Sequence, residues 1–294
     1  MTRTAALPLT LRGPLDAPPP LPHTRTPTPG DGASYASARA APVTVGSQAL
    51  YYRGFYNLQG VYDELFAAHG LGAAATVLIK GCSAGGLAVY LHIDQLRARI
   101  NAVNPATRVL GAPGAGFFLG EAAALSPPSL RYLDAYKWVF FAGNMSGSLN
   151  AACMAAKAAT NDTWRCFLAP EALPYIETPL FISNSLSDSW QSGNIMGLGC
   201  APTKAGACSD AQVAYLQSFR AQMLALLQPA TKPGSPHGGF LQGCFVHVVE
   251  DTSGWSNVKI GGRAQNEVFA EWLAGGGSAS FAVGDFPPWA NPTC

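Results

Sequence analysis

Val77-Leu78-Ile79-Lys80-Gly81-Cys82-Ser83-Ala84-Gly85-Gly86-Leu87 decides the fold of this chain. A β-prone run, Ala74 to Lys80, enters Gly-x-Ser-x-Gly. A helical pattern, Gly86 to Ile100, leaves it, with Leu87, Tyr90, Leu91, Asp94 and Arg97 at turn intervals. Strand, glycine-flanked serine and helix together predict a nucleophile elbow, in which the serine hydroxyl stands above the end of a sheet. Gly81 and Gly85 are expected to make room for that turn, because Cβ atoms would crowd it. The helix behind the serine points its N-terminal N–H groups at the place where an oxyanion would form, so Ala84 N–H is the expected donor.

Outward from the elbow, apolar segments alternate with helical ones. Ala49–Tyr52 reads as a short strand, and 54–69 as a helix carrying Leu58, Val61, Leu65 and Phe66 on one side. Arg108–Ala112 is the next expected strand, 116–173 a helical cap without strand alternation, and Thr178–Asn184 another buried strand. After these come a helix over Ala211–Leu227, a Gly/Pro loop over Pro229–Gly239, a short strand or strand-like turn over Gly243–Val249 and a last helix over Asn266–Leu273. The tail reads as irregular. Such alternation implies an α/β fold, a mostly parallel sheet with helices on both faces. Residues 1–29 are rich in Pro, Thr, Ala and Arg and read as a disordered lead-in, so the expected catalytic domain is 30–294.

Composition excludes several partners. Of the 294 residues, 48% are hydrophobic and 12% charged, which is ample material for a core. A net charge of +1 argues against nucleic acid or an anionic membrane as partner, since both need clustered Lys and Arg. No apolar run reaches the roughly eighteen residues of a membrane span. The first residues lack the basic, then apolar, then small-residue order of a secretory signal.

Seven cysteines speak for an oxidising compartment. Cys82, inside the elbow, is badly placed for a bridge and reads as a small hydrophobe. Cys153 with Cys166 and Cys200 with Cys208 bracket short polar loops, and Cys244 could tie down the terminal Cys294. Six cysteines admit about 15 pairings, so the connectivity stays open. No spacing suits zinc, and no metal or organic cofactor is expected. Asn144-Met145-Ser146 and Asn161-Asp162-Thr163 are glycosylation sequons.

A serine needs a base, and the base needs an acid to orient it; on this fold they follow in the order Ser, Asp or Glu, His. His247, beside Cys244, is the expected base. His237, in a Gly/Pro loop, is the runner-up, and His92 faces away on the elbow helix. Asp188, on the loop after the Phe181–Asn184 strand, is the expected acid ahead of Asp210, which belongs to a helix start. Glu250 and Asp251 follow the histidine and break the order. Trp190 and Trp255 lie near these loops in sequence and are candidate sugar-stacking residues.

The segments Gly81-Cys82-Ser83-Ala84-Gly85-Gly86-Leu87, Pro179-Leu180-Phe181-Ile182 with Asp188-Ser189-Trp190-Gln191, and Cys244-Phe245-Val246-His247 resemble the pectin acetylesterase family, which includes the animal lipid esterase Notum. Gly32-Ala33-Ser34-Tyr35, Gly116-Phe117-Phe118-Leu119 and Asn291-Pro292-Thr293-Cys294 extend the resemblance from about Gly30 to the last residue. It implies an α/β-hydrolase-like fold and a secreted or cell-wall carboxylesterase acting on acetylated pectin or a related polysaccharide. It also implies Ser83 as nucleophile, Asp188 as acid and His247 as base. The cysteine at position 82 resembles the plant members more than Notum. Two departures stand out. The family's signal peptide and a Gly-Gly-Gly-Trp loop donating to the oxyanion are absent here, and the first sheet strands are expected to be missing with them. One lost oxyanion donor costs about 100- to 1000-fold in rate. The alternative expectations are therefore a weak or inactive glycan-binding relative and a Notum-like lipid esterase.

Overall fold

The computed structural model describes residues 32–120, 127–232, 234–250, 253–275, 281–284 and 286–294; the lead expected over 1–29 lies outside the described residues. A small hairpin of β1 (Val43–Val45) and β2 (Gln48–Leu50) precedes α1 (Gly54–Ala68). The elbow follows as β3 (Thr76–Cys82) and α2 (Ala84–Val103), then β4 (Arg108–Gly114). Helices α3 (Pro127–Gly143), α4 (Ala151–Lys157) and α5 (Ala169–Ala172) fill the stretch expected to be a cap. Then come β5 (Phe181–Ser185), α6 (Ser189–Asn194), α7 (Asp210–Thr231) and β6 (Gly238–Gln242). The chain closes through α8 (Gly254–Asn257), a hairpin of β7 (Lys259–Ile260) and β8 (Arg263–Ala264), α9 (Gln265–Ala274) and β9 (Phe281–Val283).

Strands β3, β4, β5, β6 and β9 lie side by side in that order, all parallel. The side-chain period of two sends Val77, Val109, Ile182 and Leu241 to one face and Leu78, Leu110, Phe181 and Phe240 to the other. The first face is covered by α2 through Leu87, Tyr90 and Ile93 and by α7 through Phe219, Met223 and Leu227; the second is covered by α9 through Val268 and Trp272. Helices thus shield both faces, as the alternating pattern predicts. No helix among the described residues is long and apolar enough to cross a membrane.

Three expectations need correction. Of the short strand or strand-like turn expected over 243–249, the strand is not formed: β6 ends at Gln242, and 243–249 is a loop of bends. Gly239 is required there: a Cβ would stand 2.4 Å from the Ile182 carbonyl oxygen and 2.5 Å from the Phe281 ring. The tail read as irregular supplies β9, which pairs with β6 from Gly239 to Leu241. Helix α7 runs past Pro229 and ends two residues later at Thr231, so the loop expected over Pro229–Gly239 is shortened at both ends by α7 and by β6. The other end of α7 is held by a capping box, with Ser209 accepting from Gln212 N–H and the Gln212 side chain accepting from Ser209 N–H. Disulfides join Cys153 to Cys166, Cys200 to Cys208 and Cys244 to Cys294, and Cys82 stays outside them.

Candidate active site

Ser83 stands between β3 and α2 with φ 57° and ψ −123°, a conformation that side chains with a Cβ rarely adopt. Such strain costs on the order of 1–3 kcal/mol and survives only where the surroundings over-determine it. Here they do. Ser83 N–H donates to the Gly114 carbonyl at 2.8 Å, tying the elbow to the end of β4. A Cβ on Gly81 would lie 2.3 Å from the Gly85 carbonyl oxygen, and one on Gly86 would lie 2.3 Å from the Gly114 carbonyl oxygen. A Cβ on Gly85 would meet nothing within 4 Å, so the second glycine demanded by space is Gly86 rather than Gly85. The close approach that excludes side chains runs between α2 and the end of β4, where Gly116 packs back on Gly86.

The other two groups arrive on loops after β5 and β6. His247 Nε2 is 2.8 Å from Ser83 Oγ, and His247 Nδ1 is 2.8 Å from Asp188 Oδ2. With a neutral ring, Nδ1–H donates to the carboxylate and Nε2 accepts from the serine hydroxyl. Asp188 is fully buried. Its Oδ1 accepts from Gln191 N–H at 2.9 Å as the N-cap of α6, so one carboxyl oxygen holds a helix and the other holds the imidazole. Ser185 Oγ donates to the Cys244 carbonyl at 2.6 Å, and Leu186 N–H donates to the Gln242 carbonyl at 2.8 Å. These bonds join the Asp188 loop to the chain three and five residues before His247, where the Cys244–Cys294 disulfide also anchors it.

An aromatic wall stands beside the imidazole. Trp190 and Phe118 lie 5.9 and 6.1 Å from the His247 ring, centroid to centroid, and 5.3 Å from each other edge to face. Tyr132 of α3 closes on Trp190 at 6.2 Å and on Tyr136 at 4.4 Å. Burial pushes the Tyr132 phenol well above its ordinary pKa and that of Tyr136 up to about 12, so both stay neutral. The wall hangs on Gln191, which is fully buried. Its Oε1 accepts from Leu119 N–H at 2.9 Å, its Nε2 donates to the Phe117 carbonyl at 3.2 Å, and Asn184 Oδ1 accepts from Phe117 N–H at 3.2 Å. Sequence reading missed Asn184 and Gln191 as supports, because their partners lie 67 and 72 residues away.

The remaining candidates fall elsewhere. Trp255 lies 5.5 Å from Phe269, its ring tilted, with the Lys80 ammonium 5.1 Å from its ring, so it packs on the α9 side of the sheet and not with Trp190. His92 is buried on α2 against the Ser34 carbonyl, 2.9 Å from its Nε2. His237 is buried at the start of β6, where its Nδ1 accepts from Leu180 N–H at 3.1 Å. Ala84 opens α2 on the exposed side of the elbow, and its N–H lies in the first turn, where no intrahelical carbonyl is in reach.

This geometry can deprotonate a hydroxyl and hold an imidazolium, the chemistry of acyl transfer through a serine. The Drosophila structure described as the Wnt deacylase Notum superposes with a TM-score of 0.69 at 23% identity, covering 90% of this chain and 72% of that one. It shares the fold. Pectin acetylesterase 7 of Arabidopsis thaliana is 32% identical over 267 residues, and pectin acetylesterase 11 of the same plant is 30% identical over 226. The alignments cover 83% and 71% of this chain and 63% and 54% of those proteins, so the chain spans little more than half their length. The sequence pattern of the Pectinacetylesterase family matches residues 30–294, from before the first hairpin to the last cysteine. The chain therefore belongs to the pectin acetylesterase family.

Proposed function

We propose that the protein hydrolyses acetyl esters on pectin or a related acetylated polysaccharide through a serine acyl-enzyme. His247, oriented by Asp188, takes the Ser83 proton as Oγ attacks the acetyl carbonyl. The Ala84 N–H donates to the oxyanion. The tetrahedral intermediate collapses, the imidazolium returns its proton to the departing sugar oxygen, and the acetyl group stays on Ser83. Water, deprotonated by the same imidazole, then releases acetate. Trp190, 38% exposed above His247, is the ring offered to a sugar face.

The observation that carries this reading is the unbroken line of two 2.8 Å contacts from Asp188 through His247 to Ser83. Secretion fits the same reading. Three disulfides belong to an oxidising compartment, and the sequon residues Asn144 and Asn161 stand exposed on turns.

The test compares turnover of p-nitrophenyl acetate and acetylated pectin by wild type and Ser83→Ala. Acetate release should fall by at least about 1000-fold in the variant. Equal rates would end the serine mechanism. A wild type faster on long acyl esters than on acetyl would turn the reading toward lipid esters.

A further inference from the structure

We infer that Glu250 is a positioning residue that bolts the His247 loop to the backbone beneath Ser83, an assignment that rests on the reading of Ser83 and His247 as the reacting pair. Glu250 follows His247 by three residues, and Val249 between them is buried in the core on the α9 face. The Glu250 carboxylate lies over the end of β4: a Cβ on Gly114 would stand 2.7 Å from Oε1 and 3.2 Å from Oε2. Gly114 is the residue whose carbonyl accepts the Ser83 N–H. Its position in the sheet is shared with Ser183, the register partner on β5.

A hydrogen bond holds the same carboxylate there. Gln265, fully buried at the start of α9, donates from Nε2 both to Glu250 Oε1 at 3.1 Å and to Ser183 Oγ at 2.7 Å. Ser183 in turn accepts Ala115 N–H on its carbonyl at 2.7 Å. Glu250 thus joins the base loop, the α9 start and the ends of β4 and β5 into one body. Asp188 sets the orientation of the imidazole ring; Glu250 sets where the loop that carries it rests.

A glycine at position 114 suits this, since it leaves the space the carboxylate occupies. An acceptor at position 250 suits it too, because the buried Gln265 amide has a second N–H to satisfy besides the one given to Ser183 Oγ. Glutamine at 250 keeps an oxygen that can accept from Gln265, whereas alanine keeps nothing. The His247–Ser83 contact works over a few tenths of an ångström, and a misplacement of about 1 Å can cost about 100-fold in rate.

The experiment measures kcat and KM for p-nitrophenyl acetate, with thermal midpoints, for wild type, Glu250→Ala, Glu250→Gln and Ser83→Ala. Glu250→Ala should lose about 10- to 100-fold in kcat with KM within about two-fold, and Glu250→Gln should stay within about three-fold of wild type. A Glu250→Ala enzyme with wild-type kcat, a loss confined to KM, or a Glu250→Gln enzyme as slow as the alanine variant would overturn the assignment. If Glu250→Ala does not fold, Glu250→Asp takes its place: its shorter arm withdraws the carboxylate from Gly114 and must show the same loss confined to kcat. Ser83→Ala separates the two ideas. Full activity there would sink the serine reading itself, whereas an inactive Ser83→Ala beside a fully active Glu250→Ala would sink only the role of Glu250.

Discussion

Two histidines flank the two ends of β6, and the two ends give them opposite surroundings. His237 immediately precedes the strand and His247 follows it by five residues. At the near end, the His237 Nδ1 accepts a backbone N–H from Leu180, a bond only the neutral ring can take. Burial pushes its pKa down to about 4, with the Asp94 carboxylate pulling weakly the other way. Asp94 is itself occupied: it accepts from Thr178 N–H and Oγ–H through Oδ1, and from Asn150 and Glu177 N–H through Oδ2. At the far end, His247 has a carboxylate on one nitrogen and a hydroxyl on the other. The same side chain is a fixed acceptor at one end and, in the proposed mechanism, the proton carrier at the other, and only its neighbours differ.

Substitutions at the far end should break the comparison most sharply. Asp188→Asn keeps the α6 cap but presents an amide to Nδ1, favouring the wrong tautomer, and should lower kcat by about 10⁴-fold. His247→Ala should lower it at least as far, with a thermal midpoint near that of wild type. At the near end the effects should exchange places. His237→Ala leaves the buried Leu180 N–H without its acceptor and should cost about 1–3 kcal/mol in chemical denaturation, with kcat within about three-fold of wild type. A His237→Ala enzyme that folds stably but loses catalysis would make His237 the base.

A pH series sharpens the same contrast. Above about pH 6.5 the His237 ring is neutral whether the chain is folded or not, and it costs nothing. Between about 6.5 and 4 the unfolded chain takes up the proton and the folded chain refuses it, so stability falls as pH falls. Below about 4 the folded ring protonates as well and the loss stops. The shift corresponds to about 3 kcal/mol across the window, which His237→Asn, with an acceptor oxygen but no titration, should largely abolish in denaturant midpoints. The smallest effect expected is at Trp190. Trp190→Ala should raise KM for acetylated pectin by about 3- to 10-fold and leave p-nitrophenyl acetate nearly untouched, since one lost ring contact is worth about 1 kcal/mol.

What was legible in the sequence follows the reach of each interaction. The elbow could be read because strand pattern, glycine, serine and helix pattern are local and adjacent. Helices α1 and α2 were legible from turn-spaced apolar residues, and α7 and α9 were read as helices as well. Strands β6 and β9 were not. In Gly-Gly-Phe-Leu-Gln only Phe240 and Leu241 are apolar, one for each face, and the glycine that looks like a loop signal is there because Phe281 and β5 come so close. Three-residue β9 exists only by pairing with that strand. In the site, order along the chain was enough to nominate Ser83, Asp188 and His247. The supports Gln191, Ser185, Gln265 and Glu250 are visible only once strands distant in sequence lie side by side. Trp190 and Trp255 looked alike in sequence, and only packing separates one beside the imidazole from one under a lysine.

Acid-quenched mass spectrometry after a brief exposure to p-nitrophenyl acetate tests the central claim most directly. A single acetyl group is expected on the peptide that carries Ser83, formed in wild type and absent from His247→Ala. An acetyl group trapped on another residue, or full turnover with Ser83 never modified, would contradict it.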